Sequence, residues 1–237
     1  MRRGGTVVCK DIEKESGATM TKPTIGFIGL GLMGQGFIKR LLHSGYPVIG
    51  LDVVAEKCTA VQNLGGEIGQ SPADLARRAD IIEICVTTPS DVARIVEGDD
   101  GLATVSDPRA RVVVDHSTTD ITTTQRLSAT LLASSGIGLV DAPVSGGPLA
   151  AESGKLAIMA GGSAADIAIV EPVLTQLGTF THMGPVTAGQ ATKLVNQALV
   201  LSNYCVIAEA LRLAEAYGVD AAKVPSALAT GHAGSNL

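Results

Sequence analysis

Tryptophan is absent from this 237-residue chain, and phenylalanine and tyrosine occur only three times each. A core without large aromatic side chains must be filled by Ala, Val, Ile and Leu, and 28 glycines call for many tight turns and close backbone approaches. That mixture points to an α/β protein. Cysteine is scarce as well. Cys9, Cys58, Cys85 and Cys205 show no C-x-x-C spacing, which excludes a disulfide framework and indicates reduced thiols in a cytoplasmic protein.

Basic clusters are also lacking. With 18 basic against 23 acidic residues the net charge is −5, and nothing extends the Arg77-Arg78 pair, so a nucleic-acid partner has no electrostatic footprint. His43, His116, His182 and His232 have no metal-ligand spacing, and no metal is expected. His116 beside Ser117 suggests a hydrolase dyad, but neighbours on a strand project to opposite faces, which sets the dyad aside. The most apolar run, Ala198 to Ala214, is broken by Asn203, Glu209 and Arg212, too costly for a bilayer span and ordinary for a buried helix. A soluble protein with a small-molecule partner is expected. The first nineteen residues mix both charges without an apolar stretch, which is neither a signal nor a transit peptide. Residues 1–20 read as a disordered extension, with Met20 a natural start.

From Thr24 onward, short apolar runs alternate with amphipathic segments. Strands are expected at 24–30, 47–52, 81–86, 111–115 and 137–143, and helices near 34–43, 54–63, 72–79, 90–97 and 120–133. This alternation is the signature of βαβ units and a parallel sheet. Residues 154–184 add a strand, a helix after Ser163 and a short strand near 179–183. Beyond Gly184 the pattern is helical only. Thr187 and Gln190 match a capping box for a long helix starting near Ala188, Gly218 stops it, and one further helical segment spans 220–230. The fold class is therefore α/β: a Rossmann-type doubly wound sheet over 21–184, followed over 185–237 by a long interdomain helix and an incomplete helical domain.

Three stretches carry chemistry. In "IGFIGLGLMGQG" the G-x-G-x-x-G pattern falls at Gly29, Gly31 and Gly34, directly after a strand and opening a helix. The glycines allow a tight turn, close approach of backbone to a pyrophosphate, and close helix packing. Leu30, Leu32 and Met33 complete the loop at the positive helix N-terminus. Asp52 ends the next strand, eighteen residues after Gly34, where its carboxylate would accept from an adenosine ribose. Val53 and Val54 follow it rather than arginine, so NAD is expected over NADP, with Lys57 a nearby cation.

The second stretch, "DAPVSGGPLAAESGKLAIMAGG", offers the hydroxyl of Ser145 and successive N–H groups at Gly146 and Gly147, a nest for a carboxylate. Ser117 and Thr118, at a strand end, are expected to face the same crevice or to cap the helix near Asp120. The third is "GQATKLVNQ". Lys193, Asn196 and Gln197 stand at i, i+3 and i+4 and share one face, with Asn203 on the same side, of a helix that reads as buried almost all round. A lysine beside a nicotinamide ring would lose charge to burial and to the ring's positive charge, and could then take a proton from a substrate hydroxyl. The plainer reading is a snorkelling lysine on a solvated stripe.

Together "GFIGLGLMG", "DHSTT", "DAPVSGG…GKLAIMAGG" and "GQATKLVNQ", in this order, resemble the β-hydroxyacid dehydrogenase family, which includes 3-hydroxyisobutyrate dehydrogenases and tartronate semialdehyde reductases. The resemblance spans about residues 22 to 237. It implies a Rossmann domain followed by a helical domain that makes a dimer. It also implies that Lys193 is the catalytic acid/base, Asn196 orients substrate and Ser145 to Gly147 anchor its carboxylate. Val86 and Thr87 then line the cofactor, with Ser117 or Thr118 near the nicotinamide. Thr187 stands where glycine is usual, tolerable through its capping role, and Gln197 resembles the tartronate semialdehyde reductase branch. The 6-phosphogluconate dehydrogenases carry a different lysine motif with a histidine, which sets them aside. Family members continue through several more helices beyond "GHAGSNL". The expectation is an NAD-dependent oxidoreductase of a small 3-hydroxy acid, forming a homodimer or higher oligomer. The alternatives are tartronate semialdehyde reductase-type activity or an inactive NAD-binding fragment.

Overall fold

The structure, a computed structural model, describes residues 22–231 and 233–234. The expected extension over 1–20, with Cys9 and Met20, lies outside the described residues.

Six strands form the parallel part of the sheet: β1 (Ile25–Ile28), β2 (Val48–Leu51), β3 (Glu67–Ile68), β4 (Ile81–Ile84), β5 (Val112–Asp115) and β6 (Gly138–Asp141). Their order is β3-β2-β1-β4-β5-β6. The chain winds outward from β1 in one direction and then, from β4, in the other, so a crevice opens beyond the carboxyl ends of β1 and β4. The strands are short Ile/Val runs because both faces are covered. Side chains alternate between two cores: Ile25, Phe27, Val112 and Val114 join Phe37 and Leu41 on one face. Ile82, Ile84 and Val113 join Leu75 and Leu127 on the other.

The helices are α1 (Leu32–His43), α2 (Ala55–Asn63), α3 (Pro72–Arg78), α4 (Pro89–Glu97) and α5 (Ile121–Ser135). Ser71, Thr88 and Asp120 cap α3, α4 and α5 by accepting from the N–H three residues on. Gly45 follows α1 at φ 77°, a conformation that favours glycine.

Beyond β6 the chain adds β7 (Val144–Ser145), α6 (Gly147–Ser153), β8 (Leu156–Gly161), α7 (Ala164–Leu177) and β9 (Gly178–Gly184). Strand β8 runs antiparallel to β6 and β7 and parallel to β9. Elements β3, β7 and α6, absent from the expected set, are too short to show periodicity. The last elements are α8 (Ala188–Ala216), 29 residues long, and, after a 3-10 turn, α9 (Val224–Leu228).

Two expectations for α8 are corrected. It is not buried all round: only Gly189, Gln190 and Lys193 are buried, where the helix packs on β8 and β9, while Leu194, Leu199, Leu201, Val206 and Leu213 are exposed. Nor is there a Thr187–Gln190 capping box. Thr187 adopts φ 84° and its side chain caps nothing. By length and composition α8 alone among the described residues could cross a membrane.

Candidate active site

The glycine loop joins β1 to α1. Gly29 has φ 100°, and a Cβ there would lie 2.2 Å from the Cys85 carbonyl oxygen; a Cβ on Gly34 would lie 1.9 Å from that of Gly29. Both must be glycine for the loop to close on β4. Gly31 is different: its Cβ would meet no protein atom within 4 Å. It occupies the N-cap of α1 without a side chain that could satisfy the helix's free N–H groups. Those donors and the helix dipole suit a pyrophosphate. Leu32, the first residue of α1, is exposed.

A crevice of about 600 Å³ opens beside this loop, lined by Gly29, Gly31, Asp52, Val86, Thr87 and Arg94 among others. Asp52 does two things there. Its Oδ2 accepts from Leu30 N at 2.7 Å and its Oδ1 from Val54 N at 2.9 Å, so the carboxylate braces the glycine loop while lining the pocket. Lys57 Nζ lies 3.4 Å from Asp52 Oδ2, so the nearby cation is paired with the acid. Burial, with Asp115 and Glu83 nearby, pushes the Cys85 thiol up to about 12, which leaves it inert at neutral pH.

Ser117 and Thr118 part company. Ser117 is buried, and its Oγ accepts from Val86 N at 3.0 Å, tying the β5 end to the crevice wall. Thr118 is exposed. Neither caps α5, whose cap is Asp120. His116 turns away from Ser117 and bonds the Ala142 carbonyl through Nδ1 at 2.9 Å.

Across the β6 end, Asp141 performs the capping that Thr187 does not. Its two oxygens accept from Thr187 N and Gln190 N, each at 2.7 Å, and so close the N-terminus of α8. Burial outweighs these bonds and pushes its carboxyl up to about 6. A Cβ on Gly189 would lie 2.3 Å from the Asp141 carbonyl oxygen and 2.4 Å from that of Met159, so only glycine lets α8 seat this closely. Gln190 then reaches sideways: its Oε1 accepts from Thr119 N at 3.1 Å and its Nε2 donates to Ser117 O at 2.8 Å.

One turn on, Lys193 is only 9% exposed, and its Nζ donates to Val144 O at 2.9 Å. It does not snorkel, and burial lowers its ammonium below the ordinary lysine value. The lysine is thereby brought to the strand that ends in Ser145. Gly146 at φ 131° and Gly147 at φ 75° follow, both in conformations that favour glycine, with open space beyond Gly147. Asn196 is partly buried and donates to Gln197 Oε1 at 2.9 Å. Asn203 is exposed. Asp141 and Gln190 escaped the sequence reading as site residues. Their signals were an acid ending a strand and a glutamine on the lysine's own helix face.

An open doubly wound sheet with this glycine loop at its switch point defines a dinucleotide-binding fold. Comparison with known proteins narrows that class. Residues 24–188 match the family model for the NAD-binding domain of 6-phosphogluconate dehydrogenase. Residues 187–237 match the model described as NAD-binding of NADP-dependent 3-hydroxyisobutyrate dehydrogenase. An uncharacterized oxidoreductase of Bacillus subtilis is 33% identical over 219 residues, covering 90% of this chain and 74% of that protein. Human mitochondrial 3-hydroxyisobutyrate dehydrogenase is 34% identical over 206 residues, 86% of this chain and 61% of its own. The solved 3-hydroxyisobutyrate dehydrogenase of Mycobacterium tuberculosis with L-serine superposes with a TM-score of 0.78 at 31% identity, covering 90% of this chain and 72% of that one. The chain belongs to the β-hydroxyacid dehydrogenase family, and a nicotinamide dinucleotide is its cofactor.

Proposed function

We propose that this chain is an NAD-dependent dehydrogenase of a small 3-hydroxy acid resembling 3-hydroxyisobutyrate, with Lys193 as the proton acid/base. The observation that carries this reading is a buried lysine whose Nζ bonds the Val144 carbonyl, one residue before the Ser145-Gly146-Gly147 turn. In this reading the substrate carboxylate is held by the Gly146 and Gly147 amides and the Ser145 hydroxyl. Asn196 exchanges its contact with Gln197 for the substrate hydroxyl, which it orients. Neutral Lys193 accepts the hydroxyl proton at Nζ during oxidation and returns it in the reverse direction. The bound nicotinamide supplies the hydride acceptor. Gly29 to Gly34, Asp52, Val86 and Thr87 hold the dinucleotide, and Ser117 stiffens the wall through Val86.

The preference for NAD rests on Asp52, whose carboxylate would repel a 2′-phosphate and with which the adjacent cation, Lys57, is already paired. The chain divides near residue 184 into a dinucleotide-binding domain and a helical part. The exposed apolar face of α8 is covered by a second copy rather than by a membrane, in a reducing cytoplasmic compartment. Gln197 beside Asn196 supports a second reading, tartronate semialdehyde reductase-type activity.

The test is nicotinamide reduction by the chain with NAD or NADP against 3-hydroxyisobutyrate, glycerate and 3-hydroxypropionate. Turnover of a branched 3-hydroxy acid with NAD, lost in Lys193→Ala, is the expected result. Folded protein that binds NAD but turns over no hydroxy acid would replace this reading with a binding module.

A further inference from the structure

Glu83 stands midway along β4, in register with Phe27 on β1 and Val114 on β5, where the strand otherwise presents apolar side chains. Its carboxylate is fully buried, and neither oxygen has a hydrogen-bonding partner. Oε2 lies 3.6 Å from Nε2 of His116, also fully buried. The imidazole stacks on Phe37 with centroids 4.7 Å apart. A buried carboxyl group left without a hydrogen-bonding partner is costly, which gives its contact with the histidine weight.

The geometry assigns the protons. His116 Nδ1 lies 2.9 Å from the Ala142 carbonyl oxygen, which only accepts, so Nδ1 carries hydrogen. In a neutral ring that leaves a lone pair on Nε2 facing Oε2. The other titratable groups facing the pair are engaged: Tyr46 donates to Pro172 O at 3.1 Å, while Asp115 accepts from Ser117 N and Thr119 Oγ1. Cys85, at the end of the same strand, remains a neutral thiol.

The carbonyl that His116 holds begins the substrate-facing turn. Three consecutive carbonyls there each have a donor: Ala142 from His116, Pro143 from Met159 N at 3.1 Å, and Val144 from Lys193 Nζ. We propose that Glu83 and His116 are positioning residues, Glu83 keeping His116 in its Nδ1–H form so that the ring fixes the Ala142–Gly147 segment against Lys193. The inference rests on the proposed roles of that segment and of Lys193. A pair present for stability alone would be replaceable by apolar residues at little cost.

The test begins on the unmodified protein. The ¹⁵N signals of His116 should show a protonated, slowly exchanging Nδ1; a ring carrying hydrogen on Nε2 alone overturns the proposal. Next, Glu83→Leu is compared with Glu83→Gln, whose amide can donate to Nε2, and His116→Leu with His116→Asn, whose amide can reach the Ala142 carbonyl. The leucine variants should raise KM for the hydroxy acid about tenfold, the loss of one buried hydrogen bond, with NAD affinity unchanged. The polar variants should restore it to within about twofold. A polar variant no better than its leucine counterpart means packing alone, and overturns the assignment. The ¹³C titration of Lys193 separates this from the parent reading: its midpoint should move in Glu83→Leu and return in Glu83→Gln even if no hydroxy acid is turned over. An unmoved midpoint refutes the positioning role, and if the leucine variants fail to fold, the ¹⁵N result decides.

Discussion

Replacing Asp141 with asparagine removes a carboxyl that burial has pushed from its ordinary 3.8 up to about 6. Between those values the folded protein keeps a proton that the unfolded chain has released. Stability from this group is therefore fully present below about pH 4 and is lost as pH rises through about 6. At 1.36 kcal/mol per pH unit the interval is worth about 3 kcal/mol. Above it, the ionised carboxylate survives burial because Thr187 N and Gln190 N both donate to it. In Asp141→Asn the amide oxygen can keep one of these, while its NH₂ group faces the other N–H, a buried mismatch costing about 1–3 kcal/mol. At pH 7.5 that mismatch and the removed ionisation penalty roughly offset, leaving the two proteins within about 2 kcal/mol of each other.

The diagnostic is therefore the difference between two pH profiles. Urea denaturation of both proteins at pH 4, 5.5 and 7.5 should show the parent gaining about 3 kcal/mol on the variant as pH falls, groups common to both cancelling in the comparison. Activity should move the other way. Protonating Asp141 takes an acceptor from the start of α8, one turn before Lys193, so kcat/KM of the parent should fall below about pH 6 while its stability rises. Parallel stability profiles for the two proteins would refute the assignment of this titration to Asp141.

Lys193→Ala should lower kcat by about 10²–10⁴-fold, the range for a lost acid/base, with NAD affinity by titration calorimetry unchanged. In the parent, because burial depresses the Lys193 ammonium, the kcat/KM limb for alcohol oxidation should rise with pH and level off below 10.5; a limb still rising there would remove the lysine from the role of base. Asp52→Asn should relax discrimination against NADP. Because the acid also braces Leu30 N, the variant should weaken NAD binding too, and unchanged NAD/NADP selectivity in steady-state kinetics would mean that another residue reads the ribose. Thr187→Gly should stabilise the fold by about 1 kcal/mol by relieving a β-branched residue at φ 84°, measured as a higher urea midpoint at unchanged m-value.

The βαβ pattern was legible because parallel strands covered on both faces read as unbroken runs, and because the loops between them carry local caps such as Ser71, Thr88 and Ser163. The glycine loop was legible because its spacing is local, although Cys85 and Asp52, which constrain and brace it, lie far along the chain. Local reading misled at Thr187, where the spacing of a capping box is present but the cap comes from Asp141, 46 residues earlier in the chain. It also misled along α8, whose apolar composition says that the surface wants covering and nothing about what covers it. Glu83 was visible as an acid within "IIEICV", yet its partner lies just past the end of β5 and could not be named from spacing.

The seating of Lys193 depends on polar groups more than on apolar burial. Asp115 and Asp141 end neighbouring strands in register, and each accepts from the chain beyond its own strand end. Gln190 then joins the two systems by bonding both Thr119 N and Ser117 O. The first turn of α8 is thus held by directional bonds to two strands, whereas an apolar contact over the same area would tolerate sliding or rotation. A rotation of α8 by one residue, about 100°, would turn Lys193 away from Val144 and leave the donors and acceptors at Asp141 and Gln190 unpaired at once. That penalty is shared with Ser117, whose hydroxyl accepts from Val86 in the cofactor crevice. The same network therefore fixes both the lysine and one wall of the crevice beside the glycine loop, the common frame that the proposed proton and hydride transfers require.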